Sequence, residues 1–203
     1  MDFIDIQPPY IVFNHADSED ALAACRRAIT ELRRAIALDP ANASAHRALG
    51  RALIESRDVE EAAAAYRRVV ELHPDDADAH RKLGCALLLA YDRDFEADYL
   101  DGALAAYRCA IALDPGDAGG YYGLGRALLV AHDPEAAIAA FQSAVALRPN
   151  DPYAHSSLGS TLTESGDLDG AVAAYRRAVA LDPSHKASRP SLEELLMKFG
   201  RDE

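Results

Sequence analysis

The chain has 203 residues, half of them hydrophobic, with 33 acidic against 21 basic side chains and a formal net charge of −12. That apolar fraction suffices for a sizeable buried core and excludes a disordered polypeptide, while the acidic excess argues against nonspecific attraction to nucleic acid or to an anionic membrane. No stretch approaches the roughly 20 apolar residues that span a bilayer, and Cys25, Cys85 and Cys109 are odd in number and far apart, so reduced thiols in a cytoplasmic protein are the simplest account.

The opening stretch, MDFIDIQPPYIVFN, has acids where a signal peptide would carry Lys or Arg. Phe3, Ile4, Ile6, Tyr10, Ile11, Val12 and Phe13 make it too apolar for a free tail, and Pro8-Pro9 enforces an extended path. This arm, residues 1–16, is expected either to pack as a cap beside the leading helix or to enter a groove of its own or of a neighbouring copy. That leading helix is read over residues 17–42, with Leu22, Cys25, Ile29, Leu32 and Ile36 on one face.

From there the chain repeats itself. Leu-x-Pro recurs with prolines at 40, 74, 115, 149 and 183, spacings of 34, 41, 34 and 34. Leu-Gly returns in phase at Leu49-Gly50, Leu83-Gly84, Leu124-Gly125 and Leu158-Gly159, and after each comes an Ala-x3-aromatic pair, Ala62/Tyr66, Ala103/Tyr107, Ala137/Phe141 and Ala171/Tyr175. Each unit reads as a helix, a turn and a second helix that proline prevents from continuing. Glycine inside a helix costs about 1 kcal/mol against alanine, so its return in each unit predicts a neighbour packed against bare backbone.

These marks resemble the tetratricopeptide repeat (TPR) family, with units 43–76, 77–117, 118–151 and 152–185. The resemblance implies an all-α, right-handed solenoid of helical hairpins and a non-catalytic protein–protein interaction adaptor. Residues 186–203 are expected to form a C-terminal capping helix opened by a capping box, Ser191 to Glu194, which would make the chain complete. At the fourth position of each unit, where the family often has Trp, stand His46, His80, Tyr121 and His155. Equivalent residues of stacked repeats lie about 10 Å apart, too far to converge on one ion, so the histidines are expected to pack between helices, with no metal and no cofactor.

The 77–117 unit is longer than its neighbours by seven residues, close to two helical turns. Its extra segment, residues 91–102, carries Tyr91, Phe95 and Tyr99 at i, i+4 and i+8, the spacing of one aromatic stripe on a lengthened hairpin. The stripe is expected either to fold back as core or to serve as a docking finger. Alternating Asp92, Asp94, Glu96 and Asp98 do not make a calcium loop, because Ala97 and Ala103 stand where the defining Gly and bidentate Glu belong.

The resemblance further implies that first helices line a concave groove. Its matching positions include Arg47, Arg51, Arg81, Lys82, Cys85, Tyr122, Arg126, Tyr153, Ser156 and Ser160. The basic members either form a track for carboxylates of an acidic peptide or pair with nearby acids such as Glu55 and Asp78. The two-carboxylate clamp of the family's chaperone-binding members is not matched, since Arg51 replaces an Asn and Gly119 and Gly123 replace basic residues. No HExxH, GxSxG or phosphate-cradling glycine loop is present. The expected function is an adaptor that holds a segment of another protein; the alternatives are a self-assembling scaffold using the arm or the insertion, and an accessory subunit of an enzyme complex.

Overall fold

The computed structural model describes residues 19–185 and 187–199, with side chains from residue 23 to 198. The arm of residues 1–16 lies outside them. The chain divides into two compact units, one through Leu113 and one from Asp114. The first holds α1 (Glu19–Leu38), α2 (Ala43–Glu55), α3 (Val59–Leu72), α4 (Ala77–Asp94) and α5 (Ala97–Leu113). The second holds α6 (Ala118–Val130), α7 (Pro134–Leu147), α8 (Pro152–Ser165), α9 (Leu168–Leu181) and α10 (Ser188–Phe199). Among the described residues there is no strand, and within each unit every helix packs on its neighbour in sequence.

The turns after Pro40, Pro74, Pro115 and Pro149 each stop one helix and start the next. Two residues beyond the proline stands an Asx side chain that accepts a backbone N–H at the new N-terminus: Asn42 from Ala45 and Asp76 from Ala79, both at 2.9 Å, Asp117 from Gly119 at 2.9 Å and Asp151 from Tyr153 at 3.0 Å. Such caps satisfy donors that no helical carbonyl can reach.

Inside each hairpin the repeated glycine meets the repeated aromatic ring. A Cβ on Gly50 would lie 2.7 Å from Tyr66, on Gly84 3.1 Å from Tyr107, on Gly125 2.7 Å from Phe141 and on Gly159 3.0 Å from Tyr175. Tyr66, Tyr107, Phe141 and Tyr175 are all buried as a result, together with the alanines four residues before them. Bare backbone on the first helix therefore seats a ring from the second, which is what lets the hairpin close.

The seven extra residues lengthen both arms of the second hairpin and shorten its turn by one: α4 has 18 residues where α2 has 13, α5 has 17 where α3 has 14, and two residues join them where three join α2 to α3. The aromatic stripe is not continuous, because α4 ends at Asp94 and the chain reverses through Phe95 and Glu96. Phe95 takes the left-handed conformation at φ 56°, its N–H bonded to the Tyr91 carbonyl at 2.8 Å, so Tyr99 belongs to the returning helix. Phe95 remains 62% exposed, touching Tyr91 edge to face at 5.8 Å. Arg93, beside it, ion-pairs with Glu60 at the start of α3, tying the hairpin end to the preceding repeat.

The C-terminal helix begins earlier than the capping-box reading places it. α10 opens at Ser188, and Ser191 already lies in its first turn, its hydroxyl donating to the Ala187 carbonyl at 2.9 Å. Glu194 pairs with Lys198 at 2.9 Å instead of reaching back. At the start of the helix Ser188 is buried, with its hydroxyl 2.9 Å from His185 Nδ1.

Candidate functional site

The first-helix face of the first unit is organised by an arginine–aspartate network. Arg47 on α2 reaches across to α4, where its guanidinium bonds Asp76 and, at 3.2 Å, Asp78. Arg81, one turn further along α4, bonds the other oxygen of Asp78. Two of the predicted groove cations are thus engaged by acids of the protein itself, and each carboxylate also fixes the spacing of α2 and α4.

Asp76 also caps α4. Burial pushes its carboxyl up, but the bonds from Arg47 and the Ala79 N–H, with the charges of Arg47 and His73, hold it below the usual carboxylate range. Arg47 is raised in turn, first by its bond to Asp76. Beneath the network lies Tyr66, whose hydroxyl is pushed up to about 12, mainly by burial; Cys85 and Asp78 add to the rise, and Arg47 and Arg51 oppose it. Tyr66 therefore stays neutral at any physiological pH.

Arg51 is exposed one helical turn beyond Arg47, and Lys82 and Cys85 are half-buried on α4. Arg47, Arg51, Arg81 and Lys82 are thus four cations on α2 and α4, whose acids at or beside these positions are Glu55, Asp76 and Asp78.

In the second unit the face is less polar and partly closed. Tyr122 is buried, its ring tilted against Phe141 of α7 at 5.7 Å and its hydroxyl 3.3 Å from Ser157 Oγ on α8. Ser156 is also buried, so these two predicted groove residues are interior positions. Arg126 and Ser160 are half-buried. Tyr153 is 42% exposed, its ring centre 4.9 Å from that of His185 in an edge-on arrangement.

The fourth-position histidines do something that packing alone did not suggest. His46, His80 and His155 each place Nε2 within 3.2, 2.9 and 3.0 Å of the carbonyl of the proline six residues earlier, Pro40, Pro74 and Pro149. Arg189 occupies the same spacing after Pro183 and donates to its carbonyl at 3.3 Å. The ring nitrogens are thus committed to the turns between repeats. The repeated Pro-x5-His was visible in the sequence and was the signal for this bond.

Two further features escaped sequence reading. An open depression of about 350 Å³ lies among α7, α8 and α9, lined by Val145, Leu158, Leu162, Ala174, Gln142 and Arg177 among others. Cys25 donates its thiol to the Ala52 carbonyl at 3.3 Å, and burial, with Glu55 and Asp58 as smaller causes, raises its pKa, which suppresses thiolate chemistry. Among the described residues no group of three or more His, Cys, Asp or Glu is arranged to hold a metal, and no helix is long and apolar enough to cross a membrane.

Comparison with known proteins agrees with this geometry. A family model described as tetratricopeptide repeat matches residues 13–77, 48–118, 92–152 and 122–186. No curated protein sequence matches the chain. Among solved structures, MamA is 24% identical with a TM-score of 0.70, over 90% of this chain and 97% of that one. TTC0263, a thermophilic TPR protein of Thermus thermophilus, is 24% identical with a TM-score of 0.69, over 87% and 93%. YrrB, described as a TPR protein with an unusual peptide-binding site, is 22% identical with a TM-score of 0.65, over 85% of each chain. At these identities the likenesses speak for the fold alone.

Proposed function

Since the chain belongs to the tetratricopeptide repeat family, we propose that it is a non-catalytic cytoplasmic adaptor whose first-helix faces hold a segment of a partner protein, with a preference for acidic sequences. The observation that carries the preference is the Arg47–Asp76–Asp78–Arg81 network. It engages Asp76 and Asp78 with Arg47 and Arg81, while Arg51 and Lys82 add two further cations on α2 and α4 in a protein that is otherwise strongly negative. A carboxylate arriving at Arg51 gains charge-assisted bonds without displacing a partner among the described residues. Arg126 offers a further cation in the second unit, and exposed Tyr153 an apolar contact. The peptide-binding site named for YrrB is a precedent for peptide capture on this fold.

A random-peptide display screen against the full chain tests this. Acidic sequences should be enriched, and fluorescence anisotropy should show their affinity falling about tenfold in the Arg51→Glu/Lys82→Glu double variant, as expected for losing about 1.4 kcal/mol of charge-assisted bonding. Enrichment of basic or uncharged peptides would remove the acidic preference.

A second contact surface is supported by Phe95, a large exposed ring in a left-handed turn next to the Arg93–Glu60 ion pair. As a docking finger it would contribute an apolar anchor. The Phe95→Ser variant should keep the wild-type Tm while weakening partner binding; equal affinity for the same peptides and partners would assign the finger no part in recognition.

A further inference from the structure

In the first unit α1 and α3 stand on either side of α2, and in the second α7 and α9 stand on either side of α8. Counted back from the leucine of each Leu-x-Pro, Arg33 on α1 matches Gln142 on α7, and Glu61 on α3 matches Gly170 on α9. The guanidinium of Arg33 bonds both carboxylate oxygens of Glu61, at 2.6 and 2.8 Å, and so bridges α1 to α3. Gln142 and Gly170 cannot make this bridge, and both line the open depression among α7, α8 and α9. Two turns beyond Glu61, Arg68 pairs with Glu71 at 2.8 Å. Its counterpart Arg177 has Ala180 at the place of Glu71 and donates instead to the neutral Asn150 Oδ1 at 3.0 Å. The fourth repeat thus lacks both carboxylates. What remains is an apolar depression walled by Val145, Leu158, Leu162, Ala173 and Ala174, with Arg177 and Asp167 also lining it.

We propose that this depression receives an amphipathic α-helix of a partner protein, running antiparallel to α9. Its aliphatic side chains enter the depression, an acid of its first turn meets Arg177, and a base of its last turn meets Asp167. The helical form follows from the walls. Their backbone groups are paired along their own helices, so an extended segment would find no ladder to join, whereas a helix brings its backbone hydrogen bonds with it. The direction follows from charge. Asp167 caps the start of α9 through the Gly170 N–H at 3.0 Å, and its second oxygen stands over Gly170, 2.5 Å from where a Cβ would lie. Arg177 is ten residues on, about 15 Å along the axis. An antiparallel helix presents its N-terminal turn to Arg177, where its own dipole favours acids, and its C-terminal turn to Asp167, where it favours Lys and Arg. None of the lining residues is among the predicted groove positions, so this surface can be tested apart from the first-helix cations.

A phage library of alanine-based helices about 18 residues long, randomised at both end turns and along one face, provides the test. It is selected against the full chain carrying Arg51→Glu/Lys82→Glu, in which the proposed first-helix site is disabled. The selected sequences should carry aliphatic residues at i, i+3 or i+4 and i+7, Asp or Glu in the first turn, and Lys or Arg in the last. As labelled peptides they should lose at least tenfold in affinity on Ala173→Phe, an exposed position whose larger side chain fills the depression. Arg177→Glu should weaken them about tenfold and strengthen, by a similar factor, the peptide with its end charges exchanged. Arg177 is exposed, so this charge exchange reads the contact even where Ala173→Phe disturbs packing. No enrichment over an unrelated protein, selected sequences without this charge order, or affinities unmoved by Arg177→Glu or by a normally helical Ala173→Phe protein would each overturn the proposal.

Discussion

Phe141 lies so close to Gly125 that a Cβ on the glycine would stand 2.7 Å from the ring carbon Cε1. The contact joins α6 to α7 where neither side can withdraw, since Phe141 is fully buried and also packs on Tyr122. Alanine at this position gains about 1 kcal/mol of helix propensity and loses about 1–3 kcal/mol to overpacking. Gly125→Ala should therefore destabilise by about 1 kcal/mol, whereas Gly84→Ala, with 3.1 Å to the Tyr107 ring, should be close to neutral. Thermal unfolding of the two variants checks the order; equal Tm values would mean that the glycines are not retained for this contact.

His155 and the Pro149 carbonyl make the second relationship worth testing, because it separates packing from hydrogen bonding. The histidine is buried and its Nε2 lies 3.0 Å from that oxygen. His155→Phe keeps a ring of similar shape and leaves the carbonyl without its partner, at a cost of about 1 kcal/mol. In a chain of this size that corresponds to roughly 2–4 °C in Tm. A Tm equal to or above wild type would return the fourth-position histidines to a purely packing role.

What could be read beforehand tracks the range of each interaction along the chain. Leu-x-Pro, Leu-Gly and Ala-x3-aromatic are local marks whose geometry is fixed by helix periodicity, so the hairpins and the close glycine–ring approach were legible. Phe95 was not, because Tyr91, Phe95 and Tyr99 keep perfect helical spacing across a turn that contains neither Gly nor Pro. The groove arginines were legible as residues and ambiguous as chemistry. Whether Arg47 meets a ligand or Asp76, 29 residues away, depends on how α2 and α4 stack. The depression beside α8 was invisible for the same reason, since three helices supply its walls.

Arg47 and Asp76 also predict how stability responds to acid. The folded pKa of Asp76 is depressed, so its contribution is present above the unfolded value of about 4 and is lost as pH falls through the lower folded value. Asn caps a helix as well as Asp does, so Asp76→Asn should leave the start of α4 intact while removing the charge that Arg47 bonds. The variant should be less stable than wild type at neutral pH; the difference should begin to close as pH falls past about 4, where the unfolded chain takes up its proton, and should be gone below the lower folded value, where the wild-type carboxylate does the same. Urea unfolding measured by circular dichroism between neutral pH and pH about 2 reads both limbs. Parallel acid limbs would show that the pair positions α2 against α4 without contributing to the pH dependence.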